Sequence, residues 1–260
     1  MLDFLPGDVL AALTPLSIAV TLAAFFIAGS FKGVAGLGLP LVSLAIMVLV
    51  IEFKTAVALM TLPLILTNIV QALSGGHLLA MVKRHWRFLA LAFITTFVIQ
   101  RLSQGWDERW LVVGLGLITM LYTSSALVKG GFAISPPAER WLALPMALVS
   151  GFFSGISGAF SLPAALYFQA LGLGKNELVQ TLGIWFLTGS LALTLGVAQG
   201  PQATGANWLL SAIAAIPAFA GMWLGQKIRT HLSETRFRTI LLASLCVIGT
   251  WLVIRGLILW

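Results

Sequence analysis

The first part of the sequence is an apolar run much longer than a single membrane crossing. It extends from Leu10 to Glu52, and Lys32 is the only charged side chain between them. The whole chain is similarly apolar: 59% of its 260 residues are hydrophobic, 9% are charged, and the mean hydropathy is +1.02. In a soluble domain roughly a quarter of the residues are charged, so this composition indicates an integral membrane protein. The apolar runs do not alternate in polarity, so we predict an all-α fold rather than a β-barrel.

A glycine-rich segment that ends in proline interrupts this run. Residues 29–40 read GSFKGVAGLGLP. Glycine destabilises a helix by roughly 1 kcal/mol, and proline does not continue one from within. We therefore predict two helical pieces joined by an unwound segment beside Lys32. Residues 151–163, GFFSGISGAFSLP, repeat the pattern with a single-residue gap, which predicts two repeats, residues 1–130 and 131–260.

Ten helical elements are predicted in total. They are 13–32, 39–50, 54–74, 86–100, 109–128, 141–155, 162–171, 175–198, 206–227 and 235–258. Elements 39–50 and 162–171 are too short for a hydrocarbon core of about 30 Å. We interpret each as a re-entrant half-helix near the midplane, although the sequence does not decide between re-entry and spanning.

The charges of four loops predict how the two repeats are oriented. Loop 75–86, together with Arg87, carries basic residues and no acid, and loop 226–238 is also strongly basic. Both are therefore expected inside the cell, whereas the balanced loop 101–109 and the uncharged loop 199–207 are expected outside. Corresponding loops thus have opposite preferences. This predicts inverted-topology repeats of about five elements, as in secondary transporters with a midplane site.

The two breaks are the candidate substrate site. Free N–H groups at helix starts and the positive end of the helix dipole favour anions, and an ionisable group at membrane depth marks a pathway or an ion pair. We predict that a small anion binds between the breaks, to Lys32, Gly33, Gly36, Gly38, Leu39, Asn68 and Gln71 of the first repeat and Ser154, Ser157, Ser161, Gln180, Thr181, Trp185 and Thr188 of the second. The alternatives are close helix packing at the glycines, interhelical hydrogen bonds, and a Lys32 that reaches the membrane surface.

Other function classes find less support in the sequence. Residues 155–158, GISG, match the Gly-x-Ser-Gly of rhomboid-type intramembrane proteases, but that chemistry needs a histidine near Ser157. His77, His85 and His231 are all assigned to loops. Neither a metal-ligand spacing nor a phosphate-binding loop is present, so we expect no metal, no cofactor and no enzymatic activity. The net charge of +7 comes from helix ends, and we expect no nucleic-acid partner.

The glycine segments resemble those of the TauE/SafE family of sulfite exporters and permeases. The resemblance rests on GVAGLGLP at 33–40, KTAVALMT at 54–61, the duplication through 155–163 and 176–188, and the overall size. It implies movement of small sulfur-containing anions such as sulfite or sulfonates, often outward. Ala159, Phe160 and Ser161 stand where the family pattern has further glycines, which leaves the substrate open.

The sequence therefore predicts a multi-pass secondary transporter of the bacterial inner membrane. We expect it to export sulfite or an organosulfonate by alternating access, with a proton or sodium ion as the candidate coupling ion and a homodimer as the candidate assembly. The alternatives are an ion-coupled transporter or channel for another small solute, and a rhomboid-like intramembrane serine protease.

Overall fold

The computed structural model describes residues 14–127, 133–158, 162–228 and 234–259. Over these ranges the chain forms ten α-helices, a terminal π-helical turn and no β-strand, which confirms the all-α prediction. The helices are α1 Pro15–Ala35, α2 Leu39–Met47, α3 Phe53–Leu73, α4 Leu78–Ser103, α5 Glu108–Leu127, α6 Pro136–Ser157, α7 Leu162–Ala170, α8 Lys175–Ala198, α9 Gly205–Ile228 and α10 Glu234–Ile254, and the π turn is Arg255–Leu259.

Most helix bounds lie within a few residues of the prediction, but α4 and α6 begin earlier than expected. Helix α4 starts at Leu78 rather than 86, so Lys83, Arg84 and His85 lie on a helix and their assignment to a loop was wrong. Charged residues end a membrane span but not a helix, because lysine and arginine have good helix propensity.

Both predicted breaks are present, and glycine conformation explains their position. Helix α1 ends at Gly36, whose φ of 78° lies in the left-handed region and whose N–H donates to Lys32 O at 2.7 Å. Helix α6 ends in the same way at Gly158, with φ of 64° and a 2.7 Å bond to Ser154 O. Glycine adopts this conformation without the steric penalty of a Cβ.

The other glycines of these segments allow close helix packing. Helix α1 packs along α9, where a Cβ on Gly33 would lie 2.9 Å from Gly225 Cα and one on Gly221 would overlap Phe26 O. Helix α6 packs along α4 in the corresponding manner, and a Cβ on Gly155 would lie 2.7 Å from Thr96 O. Small residues at such spacing let membrane helices approach through their backbones.

Helices from the two halves of the sequence pack together in two sets. Helix α9 packs on α1 and α3, and helix α4 packs on α6 and α8. The corresponding helices α3 and α8 pack on each other and run antiparallel, with Ala72 beside Gly183 at one end and Met60 and Leu193 both beside Gly158 at the other. The α3–α8 pair therefore joins the set α1, α3 and α9 to the set α4, α6 and α8, and each set contains helices of both halves.

Several helices have the length and composition of membrane spans. In the described part of the chain, four meet both criteria: Pro15–Ala35, Phe53–Leu73, Asn176–Ala198 and Gly205–Ile228. Exposed tryptophans stand near helix ends, with Trp86, Trp141 and Trp223 close to basic residues and Trp106 and Trp110 around the α4–α5 loop. Such aromatic residues are typical of the membrane–water interface.

Candidate functional site

A small cavity lies at the break between α1 and α2. It is lined by Lys32, Leu37, Gly38, Leu39, Pro40, Asn68 and Phe186, and its volume is about 10 Å³. That volume holds about one water molecule. The cavity brings together the end of α1, the start of α2, and side chains of α3 and α8.

Of the described residues that line this cavity, Lys32 alone is charged. It is 4% exposed, and its Nζ donates to Asn68 Oδ1 and, at 3.1 Å, to Thr67 Oγ1. Among the described residues, no carboxylate forms an ion pair with it. A buried ammonium stabilised only by neutral dipoles is costly. An anion entering the cavity would therefore meet a strong, uncompensated positive charge.

Asn68 supplies a second group for an anion. The Lys32 ammonium fixes the orientation of the amide, because only its oxygen can accept from Nζ. The Nδ2 group is left buried, with no hydrogen-bond partner among the described residues. A buried donor without an acceptor in a native structure needs an explanation. An oxyanion bound beside Lys32 would provide one.

The first turn of α2 adds backbone donors. Its N-cap residue, Gly38, has φ of 95° and no side chain that could cap the helix. The first N–H groups of a helix have no intrahelical acceptor, and the helix dipole makes this end electropositive. A Cβ on Gly36 would meet nothing within 4 Å, so the space beside the break is open. The backbone, Lys32 and Asn68 thus all present positive charge or donors to the same cavity.

Gln71 holds the break in place rather than facing the cavity. Its Nε2 donates to Gly36 O at 3.0 Å and to Val179 O at 3.3 Å, and thereby connects α1, α3 and α8. Gly33, also predicted for the site, lies at the contact with α9. The structure therefore gathers Lys32, Gly38, Leu39 and Asn68 at the cavity, with Gly36 and Gln71 beside it.

Among the described residues, those predicted for the site at the second glycine segment do not gather around a cavity of this kind. Ser154 and Ser157 donate to Ser150 O and Phe153 O of their own helix, at 2.6 and 3.0 Å. Met60 Cε and Leu193 Cδ2 would lie 3.2 and 3.1 Å from a Cβ on Gly158, so apolar side chains fill the space beside this break. Ser161 lies outside the described residues.

The α8 residues predicted for the site have other partners. Gln180 donates to Ala72 O at 2.9 Å and accepts from His77 N at 2.7 Å. Thr188 donates to Ile184 O, and Trp185 packs edge-on against Phe88. Thr181 is buried, and its Oγ1 has no partner among the described residues.

The two breaks are also displaced from each other along α3. The first break meets α3 at Asn68 and the second at Met60. Eight residues of α-helix correspond to roughly 12 Å. The structure therefore does not bring the two breaks to a common centre. The reason is that α1 and α6 have 21 and 22 residues, and both continue past the middle of α3 before they break.

Thr67 and Phe186 were not among the residues predicted for the site, although Thr67 accepts from Lys32 and Phe186 lines the cavity. Thr67 could have been included, because it is a polar residue directly before Asn68. Phe186 carries no chemical signal, since its place in the cavity depends on how α8 packs against the break.

A histidine suitable for a serine protease is not found near Ser157 among the described residues. His85 adjoins Glu139 at the start of α6, whereas Ser157 ends that helix, roughly 27 Å away at 1.5 Å per residue. His77 lies beside Gln180, before the start of α4, and His231 is outside the described residues.

An all-helical bundle of such low charge, with four helices that could cross a bilayer, is a multi-pass membrane protein. The family model described as "Sulfite exporter TauE/SafE" matches residues 21–252. The chain therefore belongs to the TauE/SafE family, a family of membrane transporters, and the resemblance seen in the glycine segments is confirmed. Neither the curated proteins nor the solved structures gave a match.

Proposed function

We propose that this chain is a secondary transporter that exports a small sulfur-containing anion, such as sulfite or an organosulfonate. The observation that carries the proposal is the buried Lys32 ammonium, which lies beside an uncapped helix start and whose partners in the described part of the chain are all neutral. Membership of the TauE/SafE family supports the substrate class.

The anion binds to the third N–H of the Lys32 ammonium, because Thr67 and Asn68 occupy the other two. Asn68 continues to accept from Lys32 through Oδ1 and donates to a second oxygen of the anion through Nδ2. The N–H groups of Leu39 and Leu41 in the first turn of α2 complete the shell, since Pro40 has none. Binding is favourable because hydrogen bonds between a charged donor and an oxyanion are stronger than neutral ones.

Binding requires the cavity to open, since it holds only about one water molecule and sulfite is larger. The break is suited to this motion, because the backbone of Gly36 and Gly38 can change conformation without a steric penalty from a Cβ. The hydrogen bond from Gln71 to Gly36 O would break as it does so. We therefore place the gate of an alternating-access cycle at this break.

The inverted-repeat arrangement remains part of the proposal. It is supported by the antiparallel α3–α8 pair and by the matching contacts of α9 with α1 and α3 and of α4 with α6 and α8. Relative motion of these two helix sets at the α3–α8 contact would expose Lys32 to one side and then to the other. The membrane proposed is a bacterial inner membrane, with the basic start of α4 in the cytoplasm.

Transport into and out of liposomes tests the proposal. Purified protein should move sulfite or a sulfonate with saturable kinetics, and Lys32→Gln should lower the initial rate at least tenfold. Lys83→Gln serves as the matched control, because Lys83 is an exposed lysine outside this cavity. Flux that does not saturate would instead favour a channel. Absence of any sulfite or sulfonate movement, or equal rates for Lys32→Gln and the wild type, would refute the proposal.

A further inference from the structure

A second pocket, much larger than the cavity at the break, opens between the N-terminal parts of α4 and α6 and the end of α7. Its volume is about 930 Å³. We call it the arginine groove, defined by Arg84, Arg87, Glu139 and Arg140, which all line it. Three positive charges against one negative charge give the groove a clear preference for an anionic ligand.

Two of the three arginines are not neutralised. Arg84 forms a forked ion pair with Glu139, with distances of 2.9 Å from Nη2 to Oε2 and 3.2 Å from Nε to Oε1. Arg87 and Arg140 form no ion pair with any residue that the structure describes. The guanidinium of Arg87 lies 5.5 Å from the centre of the Trp86 ring. A planar guanidinium suits the bidentate recognition of a phosphate group.

A buried polar atom at the base of the groove also lacks a partner. His85 lines the groove, and its Nδ1 lies 3.9 Å from Glu139 Oε1, beyond hydrogen-bond distance. Its Nε2 is buried without a hydrogen-bond partner among the described residues. Packing against Phe168 holds the ring in place. Because the protein encloses Nε2, the imidazole forms part of the wall of the groove and does not contact a ligand directly.

The rim of the groove indicates a lipid rather than a free ion. Trp86 and Trp141 line it and are 56% and 83% exposed, as expected of tryptophans at the level of lipid headgroups. Leu144 continues the lining as an exposed apolar side chain one turn further along α6. A free ion would leave this apolar surface uncovered, whereas an acyl chain would cover it.

We propose that the arginine groove binds the phosphate headgroup of an anionic phospholipid, with an acyl chain along Trp141 and Leu144. Basic pockets between membrane helices recognise such headgroups through the same chemistry. The site is distinct from the Lys32 cavity, since no residue lines both. The proposal therefore does not depend on the transported substrate.

Lipid titration of the full chain in detergent, followed by native mass spectrometry, tests this proposal. The wild type should bind phosphatidylglycerol in preference to phosphatidylcholine. The double variant Arg87→Gln/Arg140→Gln should bind phosphatidylglycerol about 25-fold more weakly, because each basic side chain near an anionic surface contributes roughly fivefold. Lys83→Gln, an exposed charge on α4 outside the groove, should stay within about twofold of the wild type.

Two further arms make the result decisive. In mixed micelles of detergent and phosphatidylcholine, the melting temperatures of the variants should match that of the wild type. If the double variant melts at a lower temperature, each single variant is tested in its place and should bind phosphatidylglycerol about fivefold more weakly. Equal binding of both lipids, or an equal loss in Lys83→Gln, would overturn the proposal. Stabilisation by inorganic phosphate alone that disappears in the double variant would assign the groove to a free anion and overturn the lipid source.

Discussion

Replacement of Lys32 by methionine separates a functional charge from a structural one. Methionine keeps most of the volume and removes the charge. It also removes two hydrogen bonds, to Thr67 and Asn68, whose net contribution is about 1 kcal/mol each, and leaves Asn68 Oδ1 unpaired at a cost of about 1–3 kcal/mol. The wild type, in turn, bears the desolvation cost of a buried ammonium without an ion-pair partner, which is several kcal/mol in real proteins and is absent from the variant.

These contributions nearly cancel, because the lost hydrogen bonds and the unpaired oxygen together cost about 3–5 kcal/mol and the relieved desolvation returns several kcal/mol. We therefore expect the stability of Lys32→Met to lie within about 2 kcal/mol of the wild type. For a chain of this size, 1 kcal/mol corresponds to a shift of roughly 2–4 °C in Tm. The same variant should have lost sulfite transport, because the charge that attracts the anion is gone.

Thermal unfolding in detergent, combined with transport in liposomes, measures both effects. Lys83→Met is the control, because Lys83 is exposed and its substitution should leave Tm and transport unchanged. The reasoning would be refuted by a Lys32→Met protein that loses 2 kcal/mol or more and still transports at the normal rate per folded molecule. In that case the ammonium would be holding α1 to α3 rather than serving the substrate.

Two further predictions concern glycines. Gly221→Ala should destabilise the protein by about 1–3 kcal/mol, because the added Cβ would overlap Phe26 O between α9 and α1, whereas Gly205→Ala, with open space on the same helix, should leave Tm unchanged. Equal Tm values for the two variants would contradict this packing. Gly36→Ala should cost about 1–2 kcal/mol through its left-handed φ alone, since the space there is open, and Gly36→Asn should cost less. A Gly36→Ala protein as stable as the wild type would show that the break can adopt another conformation.

The sequence contains enough information to locate both helix breaks, because their cause is local. Gly36 and Gly158 end their helices in a conformation that other residues rarely adopt, and Pro40 and Pro163 stand where the next helix starts. The pattern of glycines and prolines therefore predicts where the backbone leaves one helix and starts the next. The same holds for most helix bounds, which follow from apolar length and from the positions of turn residues.

The composition of the site was only partly predictable, because it depends on packing between helices. Ser154 corresponds to Lys32 in the repeat, yet its hydroxyl bonds to its own helix, and Met60 and Leu193 fill the space beside Gly158. Gly33 looked like a part of the break but lies against Gly225 of α9. Such outcomes depend on which helix covers which face, and that is not encoded in local spacing.

The distance between the two breaks shows the same limit. A duplicated motif indicates two equivalent positions, but it does not say how far each helix continues before it breaks. The offset between Asn68 and Met60 leaves one break with a charged, polar cavity and the other with apolar neighbours. The two breaks therefore differ in the chemistry of their described neighbours, and the anion site is proposed at the first break alone.

Calorimetric binding of sulfite to the purified protein tests this asymmetry most directly. Three proteins are compared: the wild type, Lys32→Met, and Ser154→Ala, which changes the corresponding position of the second half. We predict that the wild type and Ser154→Ala bind sulfite with the same Kd and that Lys32→Met binds at least tenfold more weakly. Unchanged binding by Lys32→Met, or an equal loss in Ser154→Ala, would contradict an anion site built on the first break.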